Sequence, residues 1–349
     1  MQRTPGAGSS DGRGEAIDPE DTPRGRRRLL LPPGRTLTRL ASIGSWFVLN
    51  MIIANLNKWI FHRYSFRYPA LLTDLHMLAS FVLGRVALVF FMSPRPPPSR
   101  ATQRSVALLS LVFVVSVGSG NAALRYIHIS FAQSIGATAP LWTVLLSKLI
   151  TGQSYGGLVY AALGLVSLGM ILTTTGEINF HWLGFAAVLL GTLTRALKSI
   201  LQGMLLSSPE ERLDSISLLY HMSKPSMALL TAWLLLFERD ALWDESLRDP
   251  SLWLCVLLSS GVAFFLNVSN FLVTLHTSPV TLQVLGNVKV VLLIAVSVAI
   301  FRNEVSPQSV VGCAACLVGV ALYNHARRSS SPPLPPPKST AAAEGAVWV

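Results

Sequence analysis

Apolar residues in this chain come in long unbroken runs, not in the one-sided stripes or strict alternations of a soluble fold. Ten runs can be read, at approximately 40–61, 69–92, 105–125, 130–150, 155–175, 181–206, 216–238, 251–275, 279–301 and 306–325. Each is about the 20 residues that an α-helix needs to cross the hydrocarbon core of a bilayer. Breaks fall where charge and turn chemistry gather: Arg67 to Pro69, Ser93 to Arg104, Thr151 to Ser154, Ser207 to Asp214 and Glu238 to Pro250. The pattern predicts an all-α polytopic membrane protein with ten transmembrane helices.

A second regularity lies inside the first. Sliding the chain against itself by 148 residues sets Leu124 on Leu272, His128 on His276, Ser130 on Ser278 and Gly164 on Gly312, and the span positions coincide as well. Two halves of five spans, 40–175 and 181–325, must enter the membrane with opposite orientations because five is odd. This is the inverted 5+5 repeat of many secondary transporters, whose site lies near the midplane between the halves. The flanking segments, 1–39 and 329–349, are rich in Arg, Pro and Ser and are expected to be disordered cytosolic tails. The N-terminal one has no early apolar core and does not read as a cleavable signal. The "PPLPPP" run in the other could dock an SH3 domain, but a plain solvated tail is the preferred reading.

Composition narrows the class. Hydrophobic residues make up 51% and charged residues only 13%, which leaves too few polar faces for a large soluble helical core. The net charge of +11 is local, with eight arginines (Arg3, Arg13, Arg24, Arg26, Arg27, Arg28, Arg35 and Arg39) before the first span. Retention of that side in the cytosol accounts for them better than nucleic-acid binding does. Arg95, Arg100, Arg104, Arg327 and Arg328 fall on the same side, and the acid-rich 238–249 loop on the other; Arg63 and Arg67 depart from the rule. Cys255, Cys313 and Cys316 lie in apolar stretches and read as core residues. No metal constellation, Walker loop or catalytic triad spacing is visible, so neither a cofactor nor an enzymatic reaction is expected.

Chemistry is sought among the polar residues within the spans. An ionisable side chain at a helix centre costs about 2.5–3.5 kcal/mol on insertion scales, so it faces a cavity or a partner. Lys289 sits mid-span one turn after Gly286, and no predicted span offers a central carboxylate to pair with it; Asp74, the nearest case, is close to its span end. Gln283 lies in the same span. In the sixth span Arg195, Lys198 and Gln202 share one face, continued by Gly191, and two cations with an amide suit a phosphate-bearing solute. Asn267 and Asn270, one turn apart and followed by Thr274, could hydrogen-bond a sugar or base, or join helices. Tyr220, four residues before Lys224, could stack on a base; Asn121, beside Arg125, and Gln133, at the start of the fourth span, complete the candidates. Lys58 is expected to snorkel, and His76, His128 and His276 to be interfacial.

Four segments carry a resemblance: "NLNKWIF" (55–61), "RYIHISFAQSIGATAPLW" (125–142), "TRALKSILQGMLLSS" (194–208) and "NVSNFLVTLHTSPVTLQVLGNVK" (267–289). The chain resembles the triose-phosphate and nucleotide-sugar translocators of the drug/metabolite transporter superfamily. It is most similar to solute carrier family 35, subfamily E, and to the plant branch named for a Lys-Val/Ala/Gly pair, here Lys289-Val290. The resemblance implies ten helices in an inverted repeat, Golgi or other secretory-pathway membranes, and exchange instead of uphill pumping. Plastid phosphate exchangers carry Lys-Arg in place of Lys289-Val290 and a lysine in place of Gly136. Both departures remove positive charge, which disfavours triose phosphate and favours a larger solute. The expected function is antiport of a nucleotide sugar against a nucleoside monophosphate, with Lys289, Lys198 and Arg195 on phosphate. The alternatives are an exchanger of phosphorylated sugars or other organic anions, and a transport-inactive membrane scaffold. The expected partners are a small anionic solute and membrane lipid, and not nucleic acid.

Overall fold

The computed structural model describes residues 33–92, 96–127, 129–174, 181–208, 213–301 and 306–329. Most of the two expected tails, together with Arg95 and His128, lies outside them. Every predicted apolar run is helical: α1 (Pro33–Arg63), α2 (Pro69–Phe90), α3 (Arg100–Ala123), α4 (Ile129–Gly136), α5 (Ala139–Thr151), α6 (Gly157–Thr174), α7 (Trp182–Ser207), α8 (Ser215–Phe237), α9 (Pro250–His276), α10 (Pro279–Phe301) and α11 (Pro307–Ser329). Two short 3₁₀ turns join α8 to α9, and the described residues contain no strand. Six helices, α1, α2, α3, α7, α9 and α11, are long and apolar enough to cross a membrane.

The one departure from the predicted run pattern is a break in the fourth. α4 ends at Gly136 and α5 restarts at Ala139, because Pro140 in the first turn of α5 has no N–H to donate to the Gly136 carbonyl. The break also leaves the Ala137 carbonyl without its helical donor, because the Leu141 amide turns to Thr138; Asn287 Nδ2 on α10, at 3.0 Å, and Ser167 Oγ on α6, at 3.3 Å, donate to it. Side chains thus satisfy one backbone group that the break releases, as irregular backbone at membrane depth requires.

The most extensive helix pairs all join the two halves of the chain: α6 with α11, α3 with α7, α2 with α8, and α1 with α9. Small residues allow the closest approaches. A Cβ on Gly169 would stand 2.5 Å from the Cys316 backbone nitrogen, and one on Gly319 would stand 2.8 Å from that of Val166. Gly191 lies against Gly120, and Ser116 Oγ donates to the Gly191 carbonyl at 3.1 Å. On the α1–α9 seam, Ser45 and Ser269 hydroxyls meet at 2.9 Å.

Helix ends are closed by side chains. Asp214 accepts from the Ile216 and Ser217 amides at 3.0 and 2.9 Å, and Asp249 from Ser251 at 2.8 Å. The buried Glu238 carboxylate accepts from the Ala70 and Leu71 amides at the α2 N-terminus; burial raises its pKa, against the pull of those two bonds. Tyr68 donates to Asp244 at 2.7 Å, and that bond, with burial, pushes the phenol up to about 12.

His76 is more than a residue near a helix end: it is buried on α2, where its Nε2–H donates to Ser259 Oγ at 3.1 Å, and that hydroxyl donates to Asn57 Oδ1 at 2.7 Å, joining α2, α9 and α1. The sequence reading missed this because position along a helix gives depth in the membrane, not the identity of the neighbouring helix.

Candidate functional site

A cavity of about 690 Å³ lies between the two halves, walled by α1, α3, α4, α6, α7, α9 and α10. Three cations line it: Arg195 and Lys198 from α7 and Lys289 from α10. None of its lining residues is Asp or Glu. Arg195 keeps an open surface although protein surrounds it, as a side chain facing an internal cavity must. Lys198 rests its ammonium 4.7 Å from the centre of the Phe113 ring on α3. Lys289 donates to Asn50 Oδ1 at 3.1 Å and lies 5.7 Å from the Trp46 ring; both partners are on α1. Two aromatic faces and an amide oxygen thus stand where carboxylates would otherwise be needed. Gly136 adds room: a Cβ there would come within 3.6 Å of Arg195 Nη1, so the absence of a side chain leaves space that the guanidinium borders.

Eight of the ten predicted residues come together here: Lys289, Lys198, Arg195, Gln202, Asn270, Asn121, Gln133 and Gln283. They are not equally available. The fully buried Gln202 amide donates to Asn270 Oδ1 at 3.1 Å and to Thr274 Oγ1, and Gln283 donates to Ser199 Oγ. These amides tie α7 to α9 and α10, whereas those of Asn121 and Gln133 have no side-chain partner among the described residues.

Tyr220 and Asn267 do not line the cavity. Tyr220 is buried against Gly84 and stacks on Phe81 of α2, with ring centroids 5.2 Å apart. Asn267 stands on α9 one turn before Asn270, outside the lining. The sequence reading gave no role to Trp46, Asn50, Phe113 or Asn287. An amide in the middle of an apolar run was the available signal for Asn50, of the same kind that had singled out Asn267.

The cavity is asymmetric along the bundle. One end reaches Leu124, at the end of α3, and Val188, in the first turns of α7. Towards the other end hydrogen bonds bridge the helices: His276 donates to Ser42 Oγ at 3.1 Å, Gln202 clasps α9, and Arg327 of α11 donates to the Thr277 carbonyl at 2.8 Å and to Thr281 Oγ1.

The sequence pattern of the Triose-phosphate Transporter family matches residues 38–324. The chain belongs to this family. It is therefore a multi-pass membrane transporter and not an enzyme. It is 37% identical to UDP-uronic acid transporter 1 of Arabidopsis thaliana, over 84% of this chain and 97% of that one. It is 40% identical to an Arabidopsis thaliana protein named "Probable sugar phosphate/phosphate translocator", with the same two coverages. Solute carrier family 35 member E4 of Homo sapiens is 36% identical, over 91% of this chain and 88% of that one, in agreement with the subfamily that the motifs suggested. A crystal structure at 18% identity shares the fold, with a TM-score of 0.58 over 85% of this chain and 99% of that one.

Proposed function

We propose that the protein exchanges a nucleotide sugar for a nucleoside monophosphate by alternating access. The carrying observation is the cavity of about 690 Å³ with three cations, a set of amides and no carboxylate. That volume lies within the range of pockets that enclose drug-sized ligands. A triose phosphate would leave most of it to water. Arg195, Lys198 and Lys289 hold phosphate, while Asn121 and Gln133 address the sugar or base. Binding, orientation and release are all that the site must do.

Alternating access draws on ten crossings as an inverted repeat, with α4 and α5 together making one of them. The pairing of helices supports this. Exchanging α1 with α7, α2 with α8, α3 with α9 and α6 with α11 turns the α1–α9 pair into α3–α7 and leaves α2–α8 and α6–α11 unchanged. Such a pattern suits a two-fold axis in the membrane plane. The cavity extends towards Leu124 and is bridged by hydrogen bonds beside Gln202, an asymmetry that suits one of the two end states. With both termini cytosolic, the Leu124 end faces the lumen of a Golgi or other secretory-pathway compartment.

The direct test is uptake of a panel of nucleotide sugars into liposomes preloaded with single nucleoside monophosphates. Flux that requires one matching monophosphate supports the reading. Flux that inorganic phosphate alone sustains refutes it in favour of sugar phosphate/phosphate exchange, the activity named for the relative at 40% identity. No flux with any pair, under conditions where the protein is folded, would favour a membrane scaffold.

A further inference from the structure

The cavity is layered, and contacts between α3, α4 and α7 give the depth of each layer. Gly191 lies against Gly120, which sets α7 and α3 in register. Lys198 follows Gly191 by seven residues and Phe113 precedes Gly120 by seven, and these two meet at 4.7 Å, as the register requires. Asn121 therefore stands about 8 Å from the level of Arg195 and about 12 Å from that of Lys198, on the Leu124 side. Gln133 shares that side. Its helix, α4, follows Ile127, which packs on Gly184 at the start of α7, and ends at Gly136 beside Arg195. Gln133 thus lies about 5 Å before Arg195 is reached.

Both amides face the cavity without a side-chain partner among the described residues. The nearest hydroxyl, on Ser116, is committed to the Gly191 carbonyl. The other lining residues at this level, Gly120, Leu124, Ala132 and Val188, are small or aliphatic. Among the described residues no aromatic ring and no cation lines this layer. Arg125, next in the chain, is not a lining residue, and its charge acts on Glu238. The two rings of the cavity lie on the far side of Arg195. Phe113 is beside Lys198, and Trp46 follows Ser45, which meets Ser269, the neighbour of the Asn270 that holds Gln202.

We infer that Asn121 and Gln133 form a sugar subsite that binds hydroxyls of the hexose, with the base beyond the three cations, an assignment that rests on the nucleotide-sugar reading. Each amide has both donors and an acceptor, and each hydroxyl is both donor and acceptor, so two amides can clasp neighbouring hydroxyls. A base is held by stacking on a flat face, and this layer has none. A nucleotide sugar carries its parts in the order of the layers: hydroxyls, phosphates, flat base. A nucleoside monophosphate ends at its phosphate and leaves the amide layer to water. The two exchanged solutes therefore share the cations and differ at Asn121 and Gln133.

The test titrates the full chain in nanodiscs with UDP-glucose and UMP, and with GDP-mannose and GMP. Asn121→Leu and Gln133→Met should each weaken binding of the nucleotide sugar about threefold to tenfold, the loss of one hydrogen bond, and leave the affinity for the monophosphate as in wild type. Without ligand both variants should melt as wild type does, because neither amide holds another side chain; should one fail to fold, the other carries the comparison. Lys289→Met should weaken both solutes. Equal weakening of sugar nucleotide and monophosphate by the amide variants would overturn the inference, since the amides would then hold base or ribose. So would the absence of any weakening. If wild type binds neither pair, the transport reading fails and glucose 6-phosphate is compared with inorganic phosphate. The amide variants should then weaken the sugar phosphate alone, and an equal effect on both, or no binding of the sugar phosphate by wild type, would overturn the sugar subsite as well.

Discussion

Replacing Lys289 with methionine keeps most of the side-chain volume and removes the charge. Insertion of the helix becomes easier by about 2.5–3.5 kcal/mol. Against this, the bond to Asn50 is lost, at about 1.5–3 kcal/mol for a charged donor, and the contact with Trp46, at roughly 0.5–1 kcal/mol. These changes offset one another to within about 2 kcal/mol, so the empty variant should fold and melt close to wild type. Ligand binding has no such compensation. Loss of one charge-assisted phosphate contact should weaken binding by about tenfold to a hundredfold. The assay compares thermal stabilisation by nucleoside monophosphates and exchange flux in liposomes for wild type, Lys289→Met, Asn50→Leu and the double variant. Coupling of more than about 0.5 kcal/mol between the two positions is expected in melting, because the two side chains touch. Wild-type flux and ligand stabilisation in Lys289→Met would refute the reasoning, since the lysine would then be structural only.

Three further outcomes follow from the packing. Gly169→Ala should destabilise by about 1–3 kcal/mol in detergent melts, because the added methyl meets backbone atoms of α11 and not a side chain that could turn away. Asp214→Ala should cost about 1 kcal/mol through loss of the α8 cap, with Asp214→Asn recovering most of it. Tyr68→Phe tests an alkaline linkage. The folded phenol titrates near 12 and the unfolded one near 10, so its contribution is complete below pH 10 and is lost as pH rises towards 12; the melting difference between wild type and Tyr68→Phe should shrink over that window.

The run pattern made the helices legible, since a backbone in hydrocarbon must satisfy itself and does so as helix. The break between α4 and α5 was not read, although Pro140 marked it, because the apolar run continues across it. Lys289 and Lys198 stood out because charge is rare in such runs. Asn50 and Trp46 did not, since amides and indoles also serve ordinary helix contacts. Tyr220 shows the limit of spacing arguments: an i,i+4 relation fixes a face of α8 but not that this face meets Gly84. The same limit hid the His76–Ser259–Asn57 chain.

Between Gly169 and Cys316, and again between Gly319 and Val166, α6 and α11 meet backbone to backbone, without space for one more carbon. Two rods in such contact cannot roll over each other, and neither can slip along its length without lifting off. A bundle that must open first at one end and then at the other can use that line as a fulcrum. Displacement then grows with distance from it, small at the seam and greatest across the bundle. Under the proposed alternating access, the stroke would come from leverage, with the glycines setting where the lever is pinned.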